Sequence, residues 1–260
     1  MNTALRLLVC ILCASCASSV HAERNTRQRI AAFAKLPDWS GVWERFNIGP
    51  SDGPSDPAVS AEYEAAYQLR VPYNTQWQAS HDAAVQHRRE SHPPPQPRCR
   101  PLGFPEAMLF PNDMMQTIVT PEETTLLFYS GGTRHIATDG RQHPPADELW
   151  PTPWGDSVGR WEGEVLIVDT VATNAPILGI DGPSALSEEV HVIERIRALD
   201  RNTLENQMTI SDVAALARPW VLTLHYHRVP GMAHIIDSDC AENDRNPVID
   251  GKYTIAPPTK

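Results

Sequence analysis

The sequence predicts a mainly β protein built as one antiparallel β-barrel with an N-terminal helical arm. From Met115 onward, short runs rich in β-branched and aromatic residues alternate with Gly, Asp, Asn and Pro, which is the pattern of strands and turns. Glu162-Gly163-Glu164 and Asp200-Arg201-Asn202 are short enough to be hairpin connections. Successive hairpins lay strands antiparallel. A meander of about eight strands loses its exposed edges by closing into a barrel, wide enough to hold one small ligand.

Taken in order, residues 1–22 read as a secretory signal peptide. Arg6 gives the positive start, Leu7 to Ser19 a short apolar stretch, and Val20-His21-Ala22 a small-x-small cleavage site ending at Ala22. The expected location is therefore periplasmic or secreted. Cys10, Cys13 and Cys16 leave lipidation as an alternative, although none follows the usual Leu-Ala-Gly approach to a lipidated cysteine. Residues 23–98 are expected to form the helical arm together with a first strand near Trp39 to Phe46. Asn47 to Pro57 reads as a loop, Val59 to Arg70 as a helix capped by Ser60, and Asn74 to Arg89 as a second helix. His92-Pro93-Pro94-Pro95-Gln96-Pro97 is a stiff extended connector. Residues 99–260 supply the barrel core, the whole making one globular domain. Its expected strands are Gln116–Thr120, Thr124–Tyr129, Arg134–Thr138, Val158–Trp161, Val165–Thr170, Val190–Leu199, Thr203–Ile210 and Trp220–Val229.

Two of these strands carry information about faces. Trp220, Leu222, Leu224 and Tyr226 share one face of the last strand and should point to the core or cavity, opposite Val221, Thr223, His225 and His227. In the Val190–Leu199 strand, His191, Ile193, Arg195 and Arg197 share one face while Val190, Val192, Glu194, Ile196 and Ala198 share the other. Whichever face turns inward, it buries charge.

Composition excludes some functions. The formal net charge of −10 and the lack of a basic run disfavour nucleic acids and anionic membrane surfaces. Beyond the leader no apolar run reaches the roughly 20 residues of a membrane helix. Of the five cysteines only Cys99 and Cys240 lie outside the leader. In an oxidising compartment they are expected to pair as a disulfide, with two unpaired thiols as the alternative. Neither has redox Cys-x-x-Cys spacing or zinc partners nearby.

Several blocks resemble a large family of secreted bacterial proteins. They are Asp38-Trp39-Ser40-Gly41-Val42-Trp43, Cys99-x-Pro101-x-Gly103, Thr138-Asp139-Gly140-Arg141-x-His143-Pro144, the Gly155–Gly163 segment, Val168-Asp169-Thr170, His191-Val192-Ile193-Glu194-Arg195 and Cys240-Ala241-Glu242-Asn243. The family's segment is close to Gly-Arg-Trp-Glu-Gly-Asp-Thr-Leu-Val-Val-Asp-Thr. The resemblance spans roughly residues 36–245 and implies no particular activity. This chain departs from it at Glu164-Val165, in place of Asp-Thr, and at Ser211-Asp212-Val213, in place of an Asp-Pro turn. Gly41-x-Trp43 is also similar to the first strand of lipocalin-like barrels, so the expected architecture is a lipocalin-like β-barrel.

Candidate site residues fall into three groups. Asp139, Arg141 and His143 surround the Asp139-Gly140 turn, where a carboxylate can orient an imidazole for general acid/base work and a guanidinium can bind an anion. The alternative is a turn closed by an Asp-to-backbone bond and an Arg-to-Asp bridge. In the second group, His191 could move a proton while Arg195 holds a carboxylate, phenolate or enolate oxygen, provided their face lines the cavity. Facing outward, they are solvated charges. The third group, His225-x-His227, could begin a metal site with His234, Asp237 or Asp239, or could be an exposed polar face.

The seven tryptophans, Trp161 and Trp220 among them, and Tyr226 can wall an aromatic ligand or pack the core. No nucleophile elbow, phosphate loop or dinucleotide fingerprint is present, so no cofactor is expected. The function these residues point to is binding of a small hydrophobic or aromatic molecule. A lyase or isomerase activity would use His143, Asp139 and His191 as catalytic residues, with Arg134, Arg141, Arg195, Trp161, Trp220 and Tyr226 binding substrate. A non-catalytic carrier and a metal-dependent enzyme using His225 and His227 are the alternatives.

Overall fold

The computed structural model describes residues 27–28, 30–45, 71–91, 102–109, 114–129, 131–174, 177–178, 184–235, 248–249 and 252–253. The leader, the Val59–Arg70 segment with Ser60, and both Cys99 and Cys240 lie outside the described residues. The barrel strands are β1 (Gly41–Arg45), β2 (Met114–Val119), β3 (Glu123–Phe128), β4 (Thr133–Ala137), β5 (Asp156–Glu162), β6 (Val165–Val171), β9 (His191–Asp200), β10 (Thr203–Ser211) and β11 (Trp220–Arg228). They close in the order β1-β11-β10-β9-β6-β5-β4-β3-β2. Two small separate sheets pair β7 (Ile177–Leu178) with β8 (Ser184–Ala185), and β12 (Val248–Ile249) with β13 (Lys252–Tyr253).

The protein is thus mainly β and its sheet is a closed barrel, with strands where the alternating runs predicted them. The barrel is mixed, however, because β4 and β5 pair parallel, with Ile136 opposite Ser157. The intervening segment explains the exception. Residues 138–155 hold Pro144, Pro145, Pro151 and Pro153, and proline has no N–H to give a ladder. This stretch therefore crosses back outside the sheet instead of forming a strand, and β5 starts at the same end as β4.

Of the helical arm, α1 (Thr75–Ser91) is the helix expected from Asn74 to Arg89. Asn74 caps it by accepting a bond from Trp77 N at 2.9 Å, and Asn74 Nδ2 ties the cap to Ala214 O at 2.7 Å. A second, four-residue helix, α2 (Glu106–Leu109), lacks a sequence counterpart and is entirely buried. Phe104, Met108 and Leu109 belong to the barrel core. The segment enters beside the end where β5 begins and β6 finishes. There Phe104 N donates to Pro153 O at 2.7 Å, and Thr173 Oγ1 donates to Phe104 O at 2.9 Å. Deeper in, Tyr226 Oη donates to Met108 O at 2.9 Å.

Strand alternation decides which side chains meet inside. The inward residues include Arg134 and Ile136 of β4, Ser157 of β5, Leu166, Val168 and Thr170 of β6, Val192, Glu194 and Ile196 of β9, Leu204, Asn206 and Met208 of β10, and Leu222, Leu224 and Tyr226 of β11. The undecided face of β9 is settled. Glu194 turns inward and His191, Arg195 and Arg197 turn outward.

Burying Glu194 is possible because Arg134 meets it. Both side chains are 0% exposed, with Nη1–Oε1 at 3.2 Å and Nη2–Oε2 at 2.5 Å. Asn206 Nδ2 donates to Glu194 Oε1 at 2.8 Å, Arg134 Nη2 donates to Thr170 Oγ1 at 3.0 Å, and the guanidinium lies 3.7 Å from the Phe104 ring centroid. Planar bidentate pairing is the geometry in which a buried ion pair best offsets its desolvation. Arg134, expected to bind substrate, is instead held by Glu194 inside the core. Arg134→Met should cost about 3–5 kcal/mol in urea unfolding at pH 7, because Glu194 is left buried and alone, and Arg134→Met/Glu194→Met should recover much of the loss. A single-variant loss below about 1 kcal/mol, the scale of a surface pair, would contradict this account.

Candidate functional site

Among the described residues, three polar regions hold most of the candidate site residues. The first exists because the 138–155 crossover lies along the outside of the barrel. Asp156, at the start of β5, and Asp169, near the end of β6, both point outward there. His143 comes down between them, its Nδ1 2.6 Å from Asp156 Oδ1 and its Nε2 3.4 Å from Asp169 Oδ1. His191 of β9 approaches the same Asp169 oxygen with Nε2 at 2.7 Å, and Arg141 reaches Asp156 Oδ2 at 3.3 Å. The structure thus gathers three of the predicted residues, His143, His191 and Arg141, on the outer wall and not across a barrel cavity.

The two aspartates at the centre of this cluster were quoted in sequence blocks but not read as site residues. Their signal was present. In Val165–Val171 the alternation puts Asp169 on the face of Val165 and Ile167, opposite buried Leu166, Val168 and Thr170. Asp139 stands apart from them. Its Oδ1 accepts Arg141 N at 3.1 Å and closes the Gly140 turn, as the structural alternative had it, while the bridge from Arg141 goes to Asp156. Arg195 also faces outward, 3.8 Å from Glu162 Oε2.

The second region is a cavity of about 610 Å3 at the barrel mouth. Here the chain enters β1, and the Gly163-Glu164 and Arg201-Asn202 turns stand beside it. Gly163 is the only central residue of its turn with positive φ, at 66°, the form of a type II′ hairpin. Trp39 and Trp43 line the cavity together with Asp38, Glu164, Ala198, Asp200, Arg201 and Arg228. The Trp39 and Trp161 rings stand 5.0 Å apart, and the Arg228 guanidinium lies 4.2 Å from the Trp43 ring centroid. Arg228 is a clamp: its Nη1 donates to Ser40 O and its Nε to Arg201 O at 3.2 Å, tying the start of β1 to the β9–β10 turn. Bonds from the Ser40 hydroxyl and backbone N–H hold the Asp38 carboxyl below its ordinary range against the effect of burial, with Arg228 and Arg201 adding to them. Trp161 backs this mouth, whereas Trp220 and Tyr226 are packed in the core. Burial, partly opposed by Arg45, drives the Tyr226 phenol well above its ordinary value, and it stays a neutral donor.

The third region is the outward face of β9 to β11 and β1. Arg197 Nη2 lies 2.8 Å from Glu205 Oε1, and His225 Nε2 lies 3.3 Å from Glu205 Oε2. His227 Nε2 is 3.5 Å from Glu44 Oε2. The His225 and His227 rings are therefore engaged by different carboxylates and do not converge on one point. No family model matches the chain, and no curated protein matches it either.

The Glu205 cluster gives a pH dependence. Desolvation pushes its carboxyl up, but the Arg197 hydrogen bond and charge, with His225 behind them, outweigh it and hold the group below its ordinary 4.5. A depressed folded-state value stabilises the fold above the ordinary value, and that stabilisation is lost as pH falls through the depressed one. Urea midpoints of the parent should drop between about pH 5 and pH 3, and Glu205→Gln should flatten that slope while lowering stability at pH 7. An unchanged slope in the variant would contradict the assignment.

Proposed function

We propose that this protein binds a small organic molecule with hydrogen-bonding groups, and that it does so at the barrel mouth. The observation that carries this reading is the cavity of about 610 Å3 lined mainly by the polar side chains of Asp38, Glu164, Asp200, Arg201, Asn202 and Arg228 and touching the nearly buried Trp39 and Trp43. Its volume lies within the range of small-molecule pockets, roughly 300–1,000 Å3. The Glu164 and Asp200 carboxylates and the Asn202 amide at the rim would take up hydroxyl or amine donors, while Arg201 stands ready for a phenolate or carboxylate.

Binding at the mouth also follows from what fills the lumen. The α2 segment and the Arg134–Glu194 network occupy the space that an open barrel would offer a ligand. The lyase or isomerase reading needs His143, Asp139 and His191 to face a bound substrate. His143 and His191 stand instead on the outer wall, and Asp139 closes a turn. A carrier role needs only the cavity, so it is the reading the geometry favours.

A calorimetric screen of phenols, aromatic carboxylates and indoles should find a ligand that binds in the micromolar range or better and quenches tryptophan fluorescence. Ala198→Trp, which fills the cavity from the end of β9, should weaken that ligand at least tenfold without lowering the melting temperature by more than a few degrees. Equal affinity in the folded variant would move the site elsewhere. Silence across all three ligand classes would sink the reading.

A further inference from the structure

The outer cluster contains a contact that a hydrogen bond does not explain. Asp156 Oδ1 lies 2.6 Å from His143 Nδ1, a charge-assisted bond that fixes the ring proton on Nδ1. His143 Nε2 points at Asp169 Oδ1 across 3.4 Å. Nε2 is shielded from solvent and has no hydrogen-bond partner. A positive centre shared by the two groups, either a second ring proton or a bound cation, accounts for that approach. Charge-assisted hydrogen bonds of this kind run to about 2.7–2.9 Å. By contrast, two ligands each about 2.0–2.1 Å from one tetrahedral ion stand about 3.3 Å apart.

From this we infer that His143 Nε2, His191 Nε2 and Asp169 bind a divalent first-row transition ion of the zinc type, on the outer wall and independently of the mouth cavity. The donor set is two imidazoles and one carboxylate, which suits zinc, iron, cobalt or nickel over magnesium or calcium. The supporting residues are in place as well. Asp156 accepts the Nδ1–H of His143, and Arg141 holds the other oxygen of Asp156 at 3.3 Å, the outer partner typical of a metal-bound histidine. With three protein ligands a fourth position stays open to water, and the half-exposed His191 and Asp169 give an ion its way in.

One movement is required. No group of three or more His, Cys, Asp or Glu among the described residues is already spaced to hold an ion. His191 Nε2 sits 2.7 Å from Asp169 Oδ1, a hydrogen-bond separation. Binding exchanges that proton for the metal and moves the ring back by about half an ångström, toward the spacing of two ligands on one ion. The His191 side chain is 46% exposed, so the shift displaces no core atom.

The test is equilibrium dialysis of the purified, chelator-treated protein against zinc, with metal analysis, and cobalt(II) substitution read by visible absorption. One ion per chain is expected, with the intense cobalt bands of a four-coordinate site. His143→Ala, His191→Ala and the near-isosteric Asp169→Asn should each abolish stoichiometric binding. Asp156→Asn should weaken it by about 10–100-fold, and His225→Ala with His227→Ala should leave it unchanged. Should a histidine variant fail to fold, Asp169→Asn and the wild-type cobalt spectrum decide the matter. Zinc binding that survives folded Asp169→Asn, or no stoichiometric binding by the wild type, would overturn the site, the second result leaving a proton in the gap.

Discussion

Glu194 sits at the middle of β9 with no water to solvate it, and the barrel closes around the fact that Arg134 reaches it from β4. The two strands are not neighbours in the sheet, since β6 and β5 stand between them. The pair therefore bridges two strands that no backbone ladder joins. Desolvating two ions costs several kcal/mol each, and their mutual attraction repays it only with good geometry and satisfied neighbours. Here Asn206, Thr170, Ser157 and the Phe104 ring supply those neighbours from β10, β6, β5 and the α2 segment. One buried cluster thus joins five strands and the segment that leads into α2. We read it as a specificity device more than as a source of net stability.

That constraint explains why the strands were legible in the sequence and the interior was not. Runs of β-branched and aromatic residues bounded by turn residues located all nine barrel strands, and alternation oriented β11 correctly because Trp220, Leu222, Leu224 and Tyr226 form one apolar face. On β9 the same signal stalls. One inward position holds Glu194 and the outward face holds His191, Arg195 and Arg197, so both faces carry charge. What decides the face is the partner of Glu194, sixty residues away in the chain, and alternation carries no information about it. The α2 plug was missed for a related reason. Its four residues are too short for helical periodicity to register, and its burial depends on a lumen that exists only in three dimensions.

The candidate sites show a different limit. His143, His191 and Arg141 were singled out by residue type and do lie together, but two sequence-level assumptions failed around them. An uninterrupted meander would have made every connection local. The proline-bearing 138–155 segment instead runs outside the barrel and lays His143 on the outer faces of β5 and β6. Asp139, beside His143 in sequence, then becomes a turn residue, while Asp156 and Asp169 supply the carboxylates. Chain proximity pairs His143 with Asp139, whereas the carboxylate at hydrogen-bond distance from it is that of Asp156.

Separation of the two regions shapes any further chemistry. The mouth lies at the β5–β6 turn, beside Glu164, whereas His143 and its partners lie at the opposite ends of those strands, beside Asp156 and Asp169. A ligand seated against Trp39 and Trp43 is therefore beyond hydrogen-bond reach of His143, and general acid/base catalysis requires contact within about 2.6–3.2 Å or one bridging water. The outer cluster therefore does not reach a molecule held at the mouth in this arrangement. The two proposed sites thus lie at opposite ends of β5 and β6, and each is expected to be open to loss without the other.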